Sequence, residues 1–162
     1  MIRDANFADI PAITDMIADR YRLTHYAKDG TVDIDVDEIK RLLRDGIHRH
    51  GGKNGGSTFV QIADKGGLVT GLIFGTLVRV YSIGNKLSAT DLFWLATPLV
   101  EPHEPERLMR NMIEWAWKSP LVAEVKCGAT AVITNDPMRV GKVLERVGME
   151  NYGQIFRMER AA

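Results

Sequence analysis

Cysteine is nearly absent from this 162-residue chain, which carries Cys127 alone. One thiol excludes an internal disulfide and a cysteine-rich metal site, and it suits a reducing compartment. In its apolar stretch it reads as a small buried residue rather than a nucleophile. Net charge is absent too, with 21 Lys plus Arg against 21 Asp plus Glu. No broad field would draw the chain to nucleic acid or to a membrane surface. Basic residues at 20–22, 41–44 and 48–53 are too dispersed for a nucleic-acid face. No apolar run approaches the roughly 20 residues of a membrane span. The opening MIRDANFADIP has no basic region followed by an apolar stretch, so no secretory signal is expected and the location is expected to be cytoplasmic. Glycine is missing from one place in particular, the segment VEPHEPE at 100–106.

What is present reads as one domain without repeats or linkers. Residues 1–4 suit a short edge strand. Asp9 and Pro11 introduce a helix with Ile10, Ile13, Met16, Ile17 and Tyr21 along one face. Residues 23–35 lack periodicity and read as a loop. Asp33, Asp35 and Asp37 alternate like a calcium loop, but Glu38 stands at the required glycine and Arg44 at the bidentate glutamate. Asp35 or Asp37 instead caps a second helix carrying Ile39, Leu42, Leu43 and Ile47.

His48 and His50 are spaced like a metal pair without a third ligand, so no metal is expected. STFVQIAD, the turn KGG and LVTGLIFGTLVRVYS then spell a hairpin. Gly71 and Gly75 inside its second strand mark a bulge or a close backbone approach. A loop over 82–89 leads to a buried strand at Thr90, with Leu92 to Leu95 apolar throughout. Pro105 opens a helix with Leu108, Met109, Met112 and Ile113 at helical spacing, read as 107–117. A further strand covers 123–133. The last helix has Asn135 or Asp136 as cap, Pro137 at its first position and Gly148 as its stop. The alternation of 150–160 suits a closing strand. The order implies a mixed α/β or α+β fold: a mostly antiparallel sheet of six to seven strands with about four helices.

Two stretches carry a resemblance. IRDANFADIPAITDMI is similar to the first strand and helix of the GNAT N-acetyltransferase superfamily, with its pattern I-R-x-A-x-x-x-D-[IL]-x-x-[IL]. TNDPMRVGKVLERVGMENYG resembles that superfamily's last helix and strand, and the order of elements between the two agrees over essentially the whole chain. The resemblance implies transfer of an acetyl group from acetyl-CoA to a primary amine of a small molecule or protein. It implies a strand splayed at a bulge, with the cofactor's pantetheine arm along the backbone of Leu95, Ala96 and Thr97. A basic, glycine-rich loop then normally cradles the pyrophosphate at a helix start.

Here the loop departs from that pattern. Residues 100–106 hold no glycine, two prolines that lack N–H groups, and the carboxylates of Glu101, Glu104 and Glu106. Arg107, Arg110, Asn135 and Lys142 are the remaining candidates for the cofactor's phosphates. Asp91, Glu101 and His103 are the candidates for acid–base chemistry. Leu144 stands where many members carry a tyrosine that protonates the leaving thiolate, and it has no proton to give. His25 and Tyr26 are candidates for lining the acceptor cleft. Two functions stay open: an N-acetyltransferase, placed first, and a catalytically degenerate binding or regulatory protein on the same fold that no longer uses CoA. Exposed apolar edges would suit a homodimer.

Overall fold

The computed structural model describes residues 1–30, 32–51, 56–129 and 136–158. Five strands form one sheet in the order β1 (Ile2–Asp4), β2 (Thr58–Lys65), β3 (Leu68–Arg79), β4 (Leu87–Ala96) and β5 (Val122–Lys126). The first three pairings are antiparallel, while β4 and β5 run parallel. Parallel neighbours need a crossover, and a helix supplies it between those two strands.

Helices α1 (Ile10–Tyr21) and α3 (Val36–His48) cover one face of the sheet, with the short α2 (His25–Asp29) between them in sequence. Helices α4 (Glu104–Trp117) and α5 (Pro137–Arg146) cover the other face. Strand alternation divides the core accordingly. Val60, Ile62, Leu72, Phe74 and Leu95 meet Ile13, Ile17, Ile39 and Leu43 on the first face. Phe59, Ala63, Ile73 and Ala89 meet Leu108, Met109, Met112 and Trp115 on the second. Burying each of the large side chains contributes roughly 1.5–3 kcal/mol.

Local chemistry sets the ends of these elements. The Asn6 side chain accepts the Ala8 N–H, and the Asp9 carboxylate accepts the Asn6 N–H in return. Asp9 also receives both Arg3 terminal nitrogens at 2.8 Å, and Arg3 Nε donates to Asp64 at 2.9 Å. This one guanidinium therefore ties β1 to the start of α1 and the end of β2. Asp35 caps α3 and Asp136 caps α5, each accepting the N–H three residues on. Gly66 and Gly67 close the β2–β3 hairpin at φ of +64° and +91°, the left-handed backbone that a tight hairpin turn demands.

The glycines within β3 bring α4 close. A Cβ on Gly75 would fall 2.6 Å from Met112 Sδ, and one on Gly71 would lie 3.3 Å from Leu108 Cδ1. On α3, a Cβ on Gly46 would lie 2.3 Å from Phe74 Cζ.

The structure corrects several boundaries. Among the described residues the sheet has five strands rather than six or seven, and five helices flank it. Of the expected closing strand over 150–160, the described residues form no strand and leave Tyr152, Ile155 and Met158 exposed, while 159–160 lie outside the described residues. Thr24 caps α2 through the Ala27 N–H, so part of the expected loop over 23–35 is helical. β4 begins at Leu87 because 87–89 pair with β3, and α4 begins at Glu104. The expected strand over 123–133 is described as β5 to Lys126, and its stretch 130–133 lies outside the described residues.

Candidate active site

β4 carries one residue more than β3 opposite the middle of the sheet. Phe74 pairs with Phe93 and Gly75 with Asp91, leaving Leu92 as the extra residue of a bulge. β5 follows β4 only as far as the rung Thr90–Lys126. Beyond it, residues 91–96 have paired neighbours on the β3 side alone among the described residues. The Thr97 amide donates to the Thr70 carbonyl at 2.8 Å. Backbone groups alternate sides along an antiparallel ladder. Leu95 therefore faces β3, as does the Thr97 amide, while the peptide groups of Trp94 and Ala96 face the gap. A bulge beside a gap between strands leaves backbone donors and acceptors for a ligand that lies along the strand.

Asp91 stands at the apex of this gap. Burial pushes its carboxyl above the ordinary aspartate value, against the opposing hydrogen bond from the Cys127 thiol. The same burial, with the Asp91 charge beside it, pushes the Cys127 thiol well above its usual range. Cys127 is therefore a protonated thiol, a poor nucleophile. A carboxylate with a raised pKa is a better proton acceptor near neutral pH than an ordinary exposed one.

The other two acid–base candidates lie elsewhere. Six residues of strand and turn, roughly 15–20 Å at a strand's rise, separate Asp91 from Thr97, and the loop follows that. Glu101 is exposed and pairs with Lys65 at 2.8 Å, which lowers its pKa. His103 occupies the N-cap position of α4, exposed and without a side-chain capping bond. The structure does not bring Asp91, Glu101 and His103 together.

The start of α4 is largely satisfied from within. Glu104 is 5% exposed, and its Oε1 meets the Met1 ammonium at 2.9 Å. Its Oε2 takes the Glu101 N–H at 3.4 Å. The N–H groups of Leu99, Val100 and Glu104 also bond within the loop, and Pro102 and Pro105 have none. The indole of Trp94 donates to the Pro105 carbonyl at 3.1 Å, tying β4 to this turn. A helix start with its own carboxylate in place favours a phosphate less than a bare one.

The basic candidates divide. Arg110 donates to Glu106 and to the Arg146 carbonyl, and Arg146 donates to the same Glu106, so this trio bridges α4 and α5. Arg107 and Lys142 are exposed and form no ion pair among the described residues. Asn135 lies outside the described residues. Leu144 is core, packed with the α4 cluster. His25 and Tyr26 lie side by side on α2 with ring centroids 3.9 Å apart and planes tilted by 43°, and the His25 ring meets Arg157.

Sequence patterns did not point to a second polar cleft, of about 250 Å³, at the β1–β2 edge of the sheet. There His50 Nδ1 accepts the Val60 N–H at 2.9 Å, and Nε2 lies 3.3 Å from Asp4 Oδ1. Gln61 links Asp4 to Asn111. His50 is thus engaged in the protein's own network.

Solved structures match this arrangement over the whole chain. AAC(6')-Iy, in complex with the bisubstrate analog CoA-S-monomethyl-acetylneamine, aligns with a TM-score of 0.70 at 12% identity, covering 100% of this chain and 98% of that one. The aminoglycoside 6'-N-acetyltransferase AAC(6')-Ig from Acinetobacter haemolyticus aligns at 0.67 and 9% identity, covering 100% and 99%. The chain has the GNAT acetyltransferase fold. A transcriptional regulator from Bacillus halodurans C-125 has it too, at 0.67 and 15% identity, covering 99% of each chain. No family model matches the sequence, and no curated protein matches it. The GNAT fold is thus a matter of architecture at these identities, and its activity has to be argued from residues.

Proposed function

We propose that the protein is an N-acyltransferase that moves an acetyl group from acetyl-CoA to a primary amine. The observation that carries this is the opening between β4 and β5, with a bulge at Leu92, unpaired peptide groups at Trp94 and Ala96, and Asp91 at its apex. Acetyl-CoA would supply the activated acyl group. The β4 peptide groups at Trp94 and Ala96, unpaired among the described residues, would orient the pantetheine amides and the thioester. Asp91 would accept one proton from the acceptor ammonium, and the freed lone pair would attack the thioester carbonyl. The C–S bond would break, and CoA would leave as a thiolate that takes up the nitrogen's second proton directly or through solvent. Orientation of two reactants accounts for much of such a rate, so loss of an acid at Leu144 is tolerable. Arg107 and Lys142, exposed on α4 and α5, would be the cations available to the phosphates. The structural neighbours named for aminoglycoside acetylation support an amine acceptor of that general kind.

One observation favours a second reading, a binding or regulatory protein on the same fold that does not use CoA. The carboxylate of Glu104 fills the helix start where a pyrophosphate would otherwise be held. Isothermal titration with acetyl-CoA and with CoA separates the two. The first reading expects binding in the micromolar range, weakened several-fold by Arg107→Glu. No heat up to high micromolar ligand would sink it and leave the second.

A further inference from the structure

We propose that Tyr81, Tyr152, Glu124 and Ser88 form a receptor for an organic ammonium group, filled here by the chain's own Lys126. The Lys126 ammonium lies 5.0 Å from the centre of the Tyr81 ring and 5.4 Å from that of Tyr152. The two hydroxyls are 3.4 Å apart, so the rings stand as two walls of one box. Aromatic faces attract ammonium and guanidinium cations within about 6 Å.

The polar side of the box is under-satisfied. Lys126 Nζ forms an ion pair with Glu124 Oε1 at 2.8 Å, and among the described residues that buried oxygen has no other partner. Ser88 is the register partner of Glu124 on the neighbouring strand, and its buried hydroxyl lacks a partner among the described residues. A cation with several donors could satisfy the Glu124 carboxylate and the Ser88 hydroxyl together. The tethered Lys126 reaches Glu124 and leaves Ser88 without a partner.

The backbone holds one wall in an unusual conformation. Tyr81 has φ 50° and ψ 28°, and Ser82 follows at φ 63°. Two successive non-glycine residues in the left-handed region are rare, and such strain gathers at functional sites. The ligand class follows from the donor set. One carboxylate, one hydroxyl and two aryl faces are too few oxygens for a calcium or magnesium ion. They suit a primary ammonium, which offers three N–H donors and a face of charge to the rings.

This site deepens the acyltransferase reading and rests on it for its role. Lys126 belongs to the last rung of the β4–β5 ladder, and Cys127, the neighbour of Asp91, is the next residue. The box therefore sits at the same end of the gap as Asp91 but on the other face of the sheet, because Lys126 alternates with Val125 and Cys127 of the α4-side core. An acceptor would reach from one to the other through the gap. An acceptor with two amino groups would leave one charged in the box, in place of Lys126, and offer the other for acylation.

The test uses the full chain, titrated calorimetrically with 1,4-diaminobutane. Lys126→Met should bind the diamine at least tenfold more tightly than the natural chain. Adding either Tyr81→Ala or Tyr152→Leu should return the affinity to the starting value. No gain in Lys126→Met, or a gain that survives both tyrosine replacements, overturns the proposal. Acetyl-CoA titration keeps the two claims apart. Diamine binding without acetyl-CoA binding removes the acyltransferase reading and leaves the box. Amine acetylation unaffected by Tyr81→Ala and Glu124→Gln removes the box and leaves the acyltransferase.

Discussion

The carboxyl of Asp91 and the thiol of Cys127 are hydrogen-bonded just beyond the last rung of the β4–β5 ladder, at the point where the two strands part. Burial makes both groups harder to ionise; the Asp91 charge adds to that for the thiol, while the thiol's hydrogen bond only partly offsets it for the carboxyl. The pair is therefore poised to take up a proton rather than to release one.

A stability cost follows for the native protein. Because the folded-state pKa of Asp91 is raised, the native state holds its proton more tightly than the unfolded chain does. Stability then falls as pH climbs from the unfolded aspartate value through the raised one, and it stays lower above that. Asp91→Asn should melt at a higher temperature than the natural protein at pH 7 and at the same temperature near pH 3. If Asp91 is the base, the same variant should lose acyl transfer by 10²-fold or more. Parallel melting curves at both pH values, with no gain at neutral pH, would count against the buried charge.

Glu104 offers a second measurement. Neutralising it as Glu104→Gln removes a carboxylate from the start of α4 and breaks its pair with the Met1 ammonium. Acetyl-CoA should then bind more tightly, by roughly two- to tenfold if the relief is on the helix-dipole scale. Unchanged affinity in calorimetry would place the phosphates away from this turn.

Arg3 should behave as a structural clip. It holds Asp9 with two bonds and Asp64 with one; it is the main cause of the lowered Asp9 pKa, and for Asp64 it adds to the larger effect of the Gly67 N–H. Depressed carboxylate pKa values stabilise the fold above the unfolded aspartate range, and that contribution is lost as pH falls through the folded values. Arg3→Ala should cost about 1–3 kcal/mol at pH 7 through the Asp9 bonds, and much less near pH 2. Urea unfolding at the two pH values measures this directly.

Two glycines test the packing on opposite faces. Alanine at Gly46 meets the ring of Phe74, a buried aromatic that cannot swing away, and should cost about 1–3 kcal/mol. Alanine at Gly75 meets the flexible sulfur end of Met112, and methionine adapts to such crowding. Gly75→Ala should therefore be the milder change. The reverse order in thermal melts would show that α4, not α3, is the rigid layer.

Much of the fold was legible because its signals are local. The caps at Asp35 and Asp136, the Gly66–Gly67 turn and the apolar stripe of α4 each depend on a few neighbouring residues. Of the three acid–base candidates, the structure places Asp91 at the β4–β5 opening, through its position on β4. Glu101 and His103 looked equivalent in sequence, but Lys65 from β2 engages one and the other faces solvent. Arg110 was drawn off by Glu106 and Arg146, partners 4 and 36 residues away. The Tyr81, Tyr152 and Lys126 group joins residues 71 positions apart in the chain, so no spacing rule could have assembled it.

The extra residue in β4 stays out of the ladder. With Leu92 so placed, Phe93 and Leu95 face the α1–α3 core and Trp94 faces the α4 core. Leu92 itself is the unpaired residue, so deleting it would leave Asp91 opposite Gly75 and Phe93 opposite Phe74 as consecutive rungs and keep every one of these assignments. A gap at Leu92 in an alignment with other proteins would therefore mark a strand without its bulge and with an unchanged core. Drawing Leu92 into regular pairing would do the opposite: it would turn the rest of the strand inside out and demand a rebuilt core on both faces.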